Sequence, residues 1–201
     1  MANLQTAYLR AGTKAFTQFK TQAHEHARQW AQKTLAIPPA KWCLLDTETT
    51  GLDQDAEVIQ VGLTDGAGNI LMNNLLCKPS ISIPSEATAV HHITNEMVED
   101  APSFFDIYRD LARIADGRVV VIYNKAYDLR LIRQSLARFS APLPFTPARV
   151  ECAMLQYADY VGNWNEYHQN FKWPKLEGGD HSAVGDCLAT LQVIRKMAQG
   201  I

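Results

Sequence analysis

Residues 42–65 read WCLLDTETTGLDQDAEVIQVGLTD, two apolar runs separated by a polar, glycine-containing stretch. The apolar run from Trp42 to Leu45 is too short for a helix and suits a buried strand. Gly51 then supplies a turn, and EVIQVGLTD at 57–65 forms a second strand. Asp65-Gly66-Ala67-Gly68 is a hairpin turn into a third strand, NILMNNLL at 69–76. An antiparallel meander of three strands therefore opens the domain.

Downstream the pattern changes. Pro84 to Pro102 is polar and broken into short pieces, Phe104 to Ile114 has helical periodicity, and Val119 to Tyr123 is a β-branched, apolar strand. Leu129, Ile132, Leu136 and Phe139 give the next helix one apolar face, with Arg130, Arg133 and Arg138 turned elsewhere. A strand at Arg149–Cys152, a helix at 153–161, a polar loop, and a last helix carrying Val184, Leu188, Leu191 and Ile194 complete the chain. Upstream, Leu4, Tyr8, Ala15, Phe16, Phe19, Ala23, Ala27 and Trp30 keep helical spacing until Pro38-Pro39 stops it. We expect a helical extension over residues 1–40 and one α/β domain over 41–201, built on a mixed five-stranded sheet flanked by helices. Ligands belong beyond the carboxyl ends of its strands. Phe16, Phe19 and Trp30 lie on one side of the extension, suited to packing on the domain or to holding a polymerase or repair partner.

Composition narrows the function. With 47% hydrophobic and 20% charged residues the chain has material for a core, which excludes disorder as its main state. No apolar stretch is long enough to span a membrane, and Arg10 and Lys14 fall where a signal peptide needs its apolar run. Cys43, Cys77, Cys152 and Cys187 lie 34, 75 and 35 residues apart, which offers neither zinc-site spacing nor a short disulfide framework, so reduced thiols and a cytoplasmic location are expected. The net charge of −2 hides a division, because residues 1–40 carry five basic side chains against Glu25 alone. That excludes a wholly basic DNA-coating protein and leaves room for a local basic patch.

The acidic residues carry the chemistry. Asp46 and Glu48 stand two apart at the end of the first strand, so strand geometry aims both at one side of the sheet. Two like charges so placed cost free energy unless a cation bridges them. Asp128 opens the helix after the Val119 strand, where it also suits the helix dipole, and Asp186 falls in the first turns of the last helix beside Val184 and Leu188. A set of oxygen ligands without cysteine or paired histidine suits Mg²⁺ or Mn²⁺, and four carboxylates match two divalent ions, the usual apparatus for displacement at phosphorus. His181 precedes Asp186 by five residues, which on one helix separates them by about 140°. Both face one site only if His181 stands in the loop before the helix, which Gly178-Gly179-Asp180 permits, and there it serves as general base.

Taken together, DTETTGL at 46–52, YNKAYD at 123–128 and HSAVGD at 181–186 resemble the three motifs of the DEDDh family of 3′→5′ exonucleases. The resemblance runs from about Trp42 to Ala198. It implies a ribonuclease H-like fold, two metal ions held by Asp46, Glu48, Asp128 and Asp186, and His181 as general base. It also implies that Thr49 and Leu52 lie against the terminal sugar and base, and that Glu86 and His91 in SEATAVHHIT approach the 3′ end, with Asn124 a further substrate contact. His92 stands where the family usually has Gly, and Tyr123-Asn124 where it usually has His-Asn. The implied substrates are single-stranded 3′ ends of DNA or RNA; several members of the family dimerise. A bound strand needs cations for phosphates and rings for bases, for which Arg130, Arg133, Lys172, Lys175 and Trp164, Tyr167, Phe171, Trp173 are available. The same arginines also fit a solvated helix face, the same aromatics the packing of a loop, and Leu52 the core.

Overall fold

The computed structural model describes residues 13–146 and 149–200. Helix α1 covers Thr13–Ala36, and Leu4, Tyr8 and Arg10 lie outside the described residues. Strands β1 (Trp42–Thr49), β2 (Val58–Asp65) and β3 (Ile70–Leu76) form the expected antiparallel meander. After α2 (Ser85–His91) and α3 (Phe104–Ala115), β4 (Val119–Ile122) returns parallel to β1. Helix α4 (Lys125–Ala137) leads to β5 (Val150–Cys152), parallel to β4, and α5 (Ala153–Val161) follows. The five strands lie in the order β3-β2-β1-β4-β5. A two-stranded hairpin, β6 (Trp164–Asn165) and β7 (Asn170–Phe171), stands apart from the sheet, and α6 (Ala183–Gln199) closes the described chain. Among the described residues no helix is long and apolar enough to cross a membrane.

The alternation of side chains along β1 divides the core into two layers. Cys43 and Leu45 join Val120 and Ile122 against α3 and α4, where Leu111, Ile132 and Leu136 are buried. Trp42 and Leu44 join Val121 and Tyr123 on the opposite face, against Ala31 of α1, Tyr157 of α5 and Leu191, Ile194 and Met197 of α6. Small residues at Ala27 and Ala31 let α1 lie close to α5 and α6, so this helix covers the second layer. Gly66 makes room for the Trp42 indole, since a Cβ there would fall 2.0 Å from Nε1.

The polar loop expected after α5 holds the β6–β7 hairpin. Its strands are only two residues long, too short for alternation to show, and the Asn165 carboxamide oxygen accepts from the Tyr167 and His168 N–H groups across the turn. What secures the hairpin is remote in sequence. Phe16 and Phe19 of α1 meet Trp164 edge-on at 5.3 and 6.0 Å, and Phe19 stacks on Phe171 at 5.7 Å. Trp164 and Phe171 are therefore part of a packed aromatic cluster, the loop-packing alternative of the two uses open to these rings.

The first turn of α6 is held by side chains of the sheet. Gln60 of β2 accepts from the Ala183 N–H at 2.9 Å, Asn74 of β3 from Val184 at 2.7 Å, and the N-cap Ser182 from Gly185 at 3.1 Å. Three N–H groups that a helix start leaves unpaired are thereby satisfied. The helix comes this close because β2 has no side chain at Gly62, where a Cβ would lie 2.5 Å from backbone atoms of Ala183 and Val184. Gly62→Ala is expected to cost about 3 kcal/mol, roughly 10 °C in Tm, because rigid backbone on both sides must yield. Gly51→Ala, with open space around it, serves as the control and leaves urea and thermal unfolding nearly unchanged.

Candidate active site

On β1, Asp46 and Glu48 continue the face on which Trp42 and Leu44 are buried, at the strand's carboxyl end. Asp46 sits opposite Gly62, the point where α6 presses on the sheet, so the first turn of α6 delivers Asp186 to the same place. Asp128, only 3% exposed, reaches the site from α4, and its Oδ1 accepts from the Thr47 hydroxyl at 2.8 Å. His181 stands outside the helix, just before its N-cap, in a left-handed conformation with φ 58°. Donor atoms of Glu48, His181 and Asp186 lie within 4.8 Å of one another, as the loop placement of His181 requires.

The approach to His181 is organised by Asp186 itself. Its Oδ1 accepts from the backbone N–H groups of Asp180 at 3.0 Å and His181 at 3.2 Å, while Asp180 accepts from the Ser182 N–H and hydroxyl. Gly179 lies so near that a Cβ would fall 2.7 Å from Asp186 Oδ1. One carboxylate therefore faces the site and also ties down the loop that presents the histidine.

Burial and mutual repulsion oppose ionisation throughout. Asp46 is held well above the usual carboxylate range by desolvation, then by Asp128, Glu48 and Asp186. Glu48 is pushed up to about 8 by burial and by Asp186 and Asp128. Asp128 is raised to about 7 by burial, against the lowering effect of its Thr47 bond, and burial raises Asp186 too. None of the four pairs with a lysine or arginine among the described residues. The donor set is hard oxygen with one imidazole at its rim, and it fits a divalent cation that would supply the missing positive charge.

Beside the carboxylates is a cavity of about 390 Å³ that brings Thr49, Leu52, Glu86 and His91 together with Glu48. Leu52 is 79% exposed and is no core residue. His91 is buried, and its Nδ1 accepts from the Ile93 N–H. Asn124 is elsewhere: it caps α4 by accepting from the Tyr127 N–H and lines the neighbouring cavity.

Tyr127 was not singled out by the sequence, although it adjoins Asp128. Its hydroxyl is bonded to the Thr49 hydroxyl at 2.8 Å and donates to the Gly51 carbonyl at 3.0 Å. Arg130 donates to the carbonyls of Leu52 and Asp53, and Gln134 to those of Asp53 and Ala56. One face of α4 thus fixes the loop that displays Leu52, and Arg130 is committed to that loop rather than free for phosphates.

Comparison with known proteins agrees with this geometry. Residues 43–194 match the RNase_T family of exonucleases. An uncharacterized exonuclease, CP81, of Escherichia phage 186 is 41% identical over 187 residues, covering 83% of this chain and 95% of the phage protein. The epsilon subunit of DNA polymerase III from Treponema pallidum is 33% identical over 95 residues, 46% of this chain and 44% of that subunit. Exonuclease X, solved with 5′ overhanging duplex DNA, shares the fold at a TM-score of 0.53 and 22% identity over 80% of this chain and 93% of its own. So does the nuclease domain of 3′hExo, a DEDDh family member solved with rAMP, at 0.55 and 13% over 79% of this chain and 92% of its own. A family match over most of the chain, and a relative covered almost end to end, establish that this protein belongs to the RNase_T family of 3′→5′ exonucleases, nucleases with a ribonuclease H-like fold.

Proposed function

We propose that the protein removes mononucleotides from single-stranded 3′ ends of DNA or RNA, with Asp46, Glu48, Asp128 and Asp186 holding two Mg²⁺ or Mn²⁺ ions and His181 as general base. The observation that carries this reading is the gathering of four carboxylates without a cationic partner at one strand end, with an exposed histidine at their rim. The bound ions would supply Lewis acidity at the scissile phosphate and offset the charge that builds on the leaving oxygen. His181 accepts a proton from the attacking water, whose oxygen bonds to phosphorus as the P–O3′ bond breaks. A 5′-mononucleotide leaves, and the strand keeps a new 3′-hydroxyl. The cavity beside Glu48 receives the terminal nucleotide: Leu52 offers an apolar edge to the base, Thr49 lies against the sugar, and Glu86 and His91 line the end that takes the 3′-hydroxyl. Asn124 acts from the neighbouring cavity.

The same reading assigns residues 41–201 to the nuclease domain and 1–40 to an extension, in a cytoplasmic protein whose four cysteines are free thiols. The rings of Phe16 and Phe19 are occupied by the hairpin and Trp30 joins the second core layer, which favours packing within the chain over docking through these three residues.

The direct test is a time course on 5′-labelled single-stranded DNA and RNA of one sequence with Mg²⁺, Mn²⁺ or chelator. A descending ladder that requires metal is expected, with Asp46→Ala inactive but folded; undiminished turnover by Asp46→Ala would overturn the assignment. His181→Ala should slow turnover by about 10²–10⁴-fold while divalent-ion binding, read by calorimetry, changes little.

A second test reads the repulsion itself. The unfolded chain releases the Glu48 proton near pH 4.5 and the folded chain holds it up to about 8, so the metal-free fold has this contribution in full below pH 4.5 and loses it as pH rises through 8. In chelator, Glu48→Gln should therefore match wild type in urea titrations at about pH 4 and exceed it at about pH 8. Mg²⁺ should raise the Tm of wild type at the higher pH more than that of the variant.

A further inference from the structure

A second cavity, of about 600 Å³, lies on the other side of Tyr127, lined by Asn124, Tyr127 and Arg133 of the α4 region, Met154 and Leu155 of α5, and Trp173. Tyr127 lines both this cavity and the one beside Glu48, so the two are neighbours across a single ring. Trp173 is 62% exposed, an unusual fraction for so large an apolar surface, and Leu155 is exposed beside it.

The tryptophan is held in place by its chain neighbours. Lys172 donates its N–H to the Asn163 carbonyl at 2.7 Å, and the Tyr123 hydroxyl donates to the Pro174 carbonyl at 2.8 Å. Of the cations around the cavity, Arg130 holds the loop after β1 and Lys125 donates to the Val150 carbonyl. Arg133 is exposed and has no ion pair among the described residues. A fixed open indole and an uncommitted guanidinium, next to a site that cuts a polyanion, have the chemistry of a stacking platform with a phosphate clamp.

We infer that this cavity binds an unpaired nucleobase of the substrate strand upstream of the scissile phosphate, stacked on Trp173, with Arg133 on the adjoining backbone phosphate. The inference rests on the exonuclease reading and extends it. A protein partner is disfavoured because the exposed indole shares its cavity with the Arg133 guanidinium, and Tyr127 joins that cavity to the one that Glu48 lines. Of the aromatic and basic residues that the sequence offered for strand binding, the structure brings Trp173 and Arg133 into one cavity, while Trp164, Phe171 and Arg130 are otherwise engaged.

The test compares a substrate that reaches the cavity with one that cannot, in the full chain with Mg²⁺ or Mn²⁺. On a single-stranded oligonucleotide, Trp173→Ala and Arg133→Gln should each raise KM about tenfold with kcat little changed, and Trp173→Phe should recover most of the loss. On the p-nitrophenyl ester of thymidine 5′-monophosphate, which has no upstream base, both variants should equal wild type. An abasic residue walked along the oligonucleotide should raise KM at one upstream position in wild type and have no further effect there in Trp173→Ala. Equal KM values for wild type and Trp173→Ala on the oligonucleotide, or an abasic scan that Trp173→Ala leaves unaltered, would overturn the inference and reassign the surface to a protein partner. A wild type inactive on both substrates would instead refute the nuclease reading itself.

Discussion

Asp46, Glu48, Asp128 and Asp186 resist ionisation both because they are withdrawn from water and because each faces the others, and the surrounding structure is arranged to keep them there. Left alone, such a group would relax by moving a side chain outward or by taking up protons. Movement is opposed from three directions: β1 pairs on both sides, Thr47 ties Asp128, and the loop N–H groups tie Asp186. The remaining relief is proton uptake or positive charge from outside the chain, and the hard oxygen donors fit a divalent cation.

Holding Asp186 in that group depends on how α6 starts. A helix N-terminus laid directly on a strand needs partners for its free N–H groups and an absence of side chain beneath it. Gln60, Asn74 and Ser182 provide the first and Gly62 the second. The carboxylate so placed then organises the Gly179–His181 segment, so a single close approach sets the positions of both Asp186 and His181.

Helix α4 does comparable work on the other side of the site. Its Asp128 belongs to the carboxylate group, while Tyr127, Arg130 and Gln134 capture successive carbonyls of the loop after β1. A loop tethered through its backbone can expose a leucine without collapsing onto the core, which explains how Leu52 stays open beside the cavity. The face of α1 that covers the second core layer also braces the β6–β7 hairpin through stacked and edge-on rings. The segment leaving that hairpin carries Trp173 and then runs to His181, so the extension supports the frame of the site from a distance.

Sequence alone was enough for the meander, the later alternation of helices and strands, the pairing of Asp46 with Glu48 and the place of His181 before the helix, because period, turn chemistry and spacing are local; that Asp128 and Asp186 join them was implied by the resemblance of the three motifs. The hairpin at 164–171 escaped because its strands are too short to show a period and its support comes from residues about 150 positions earlier. Tyr127 had no spacing signal, since its importance lies in the Gly51 carbonyl and the Thr49 hydroxyl, more than 70 residues away. Among the arginines and aromatics, a ring or a guanidinium in sequence is only a capacity to bind. Which are spent inside the molecule and which stay open is decided by long-range packing, and only the tertiary structure shows Arg130 holding a loop, Trp164 packed edge-on against Phe16, and Trp173 and Arg133 facing one cavity.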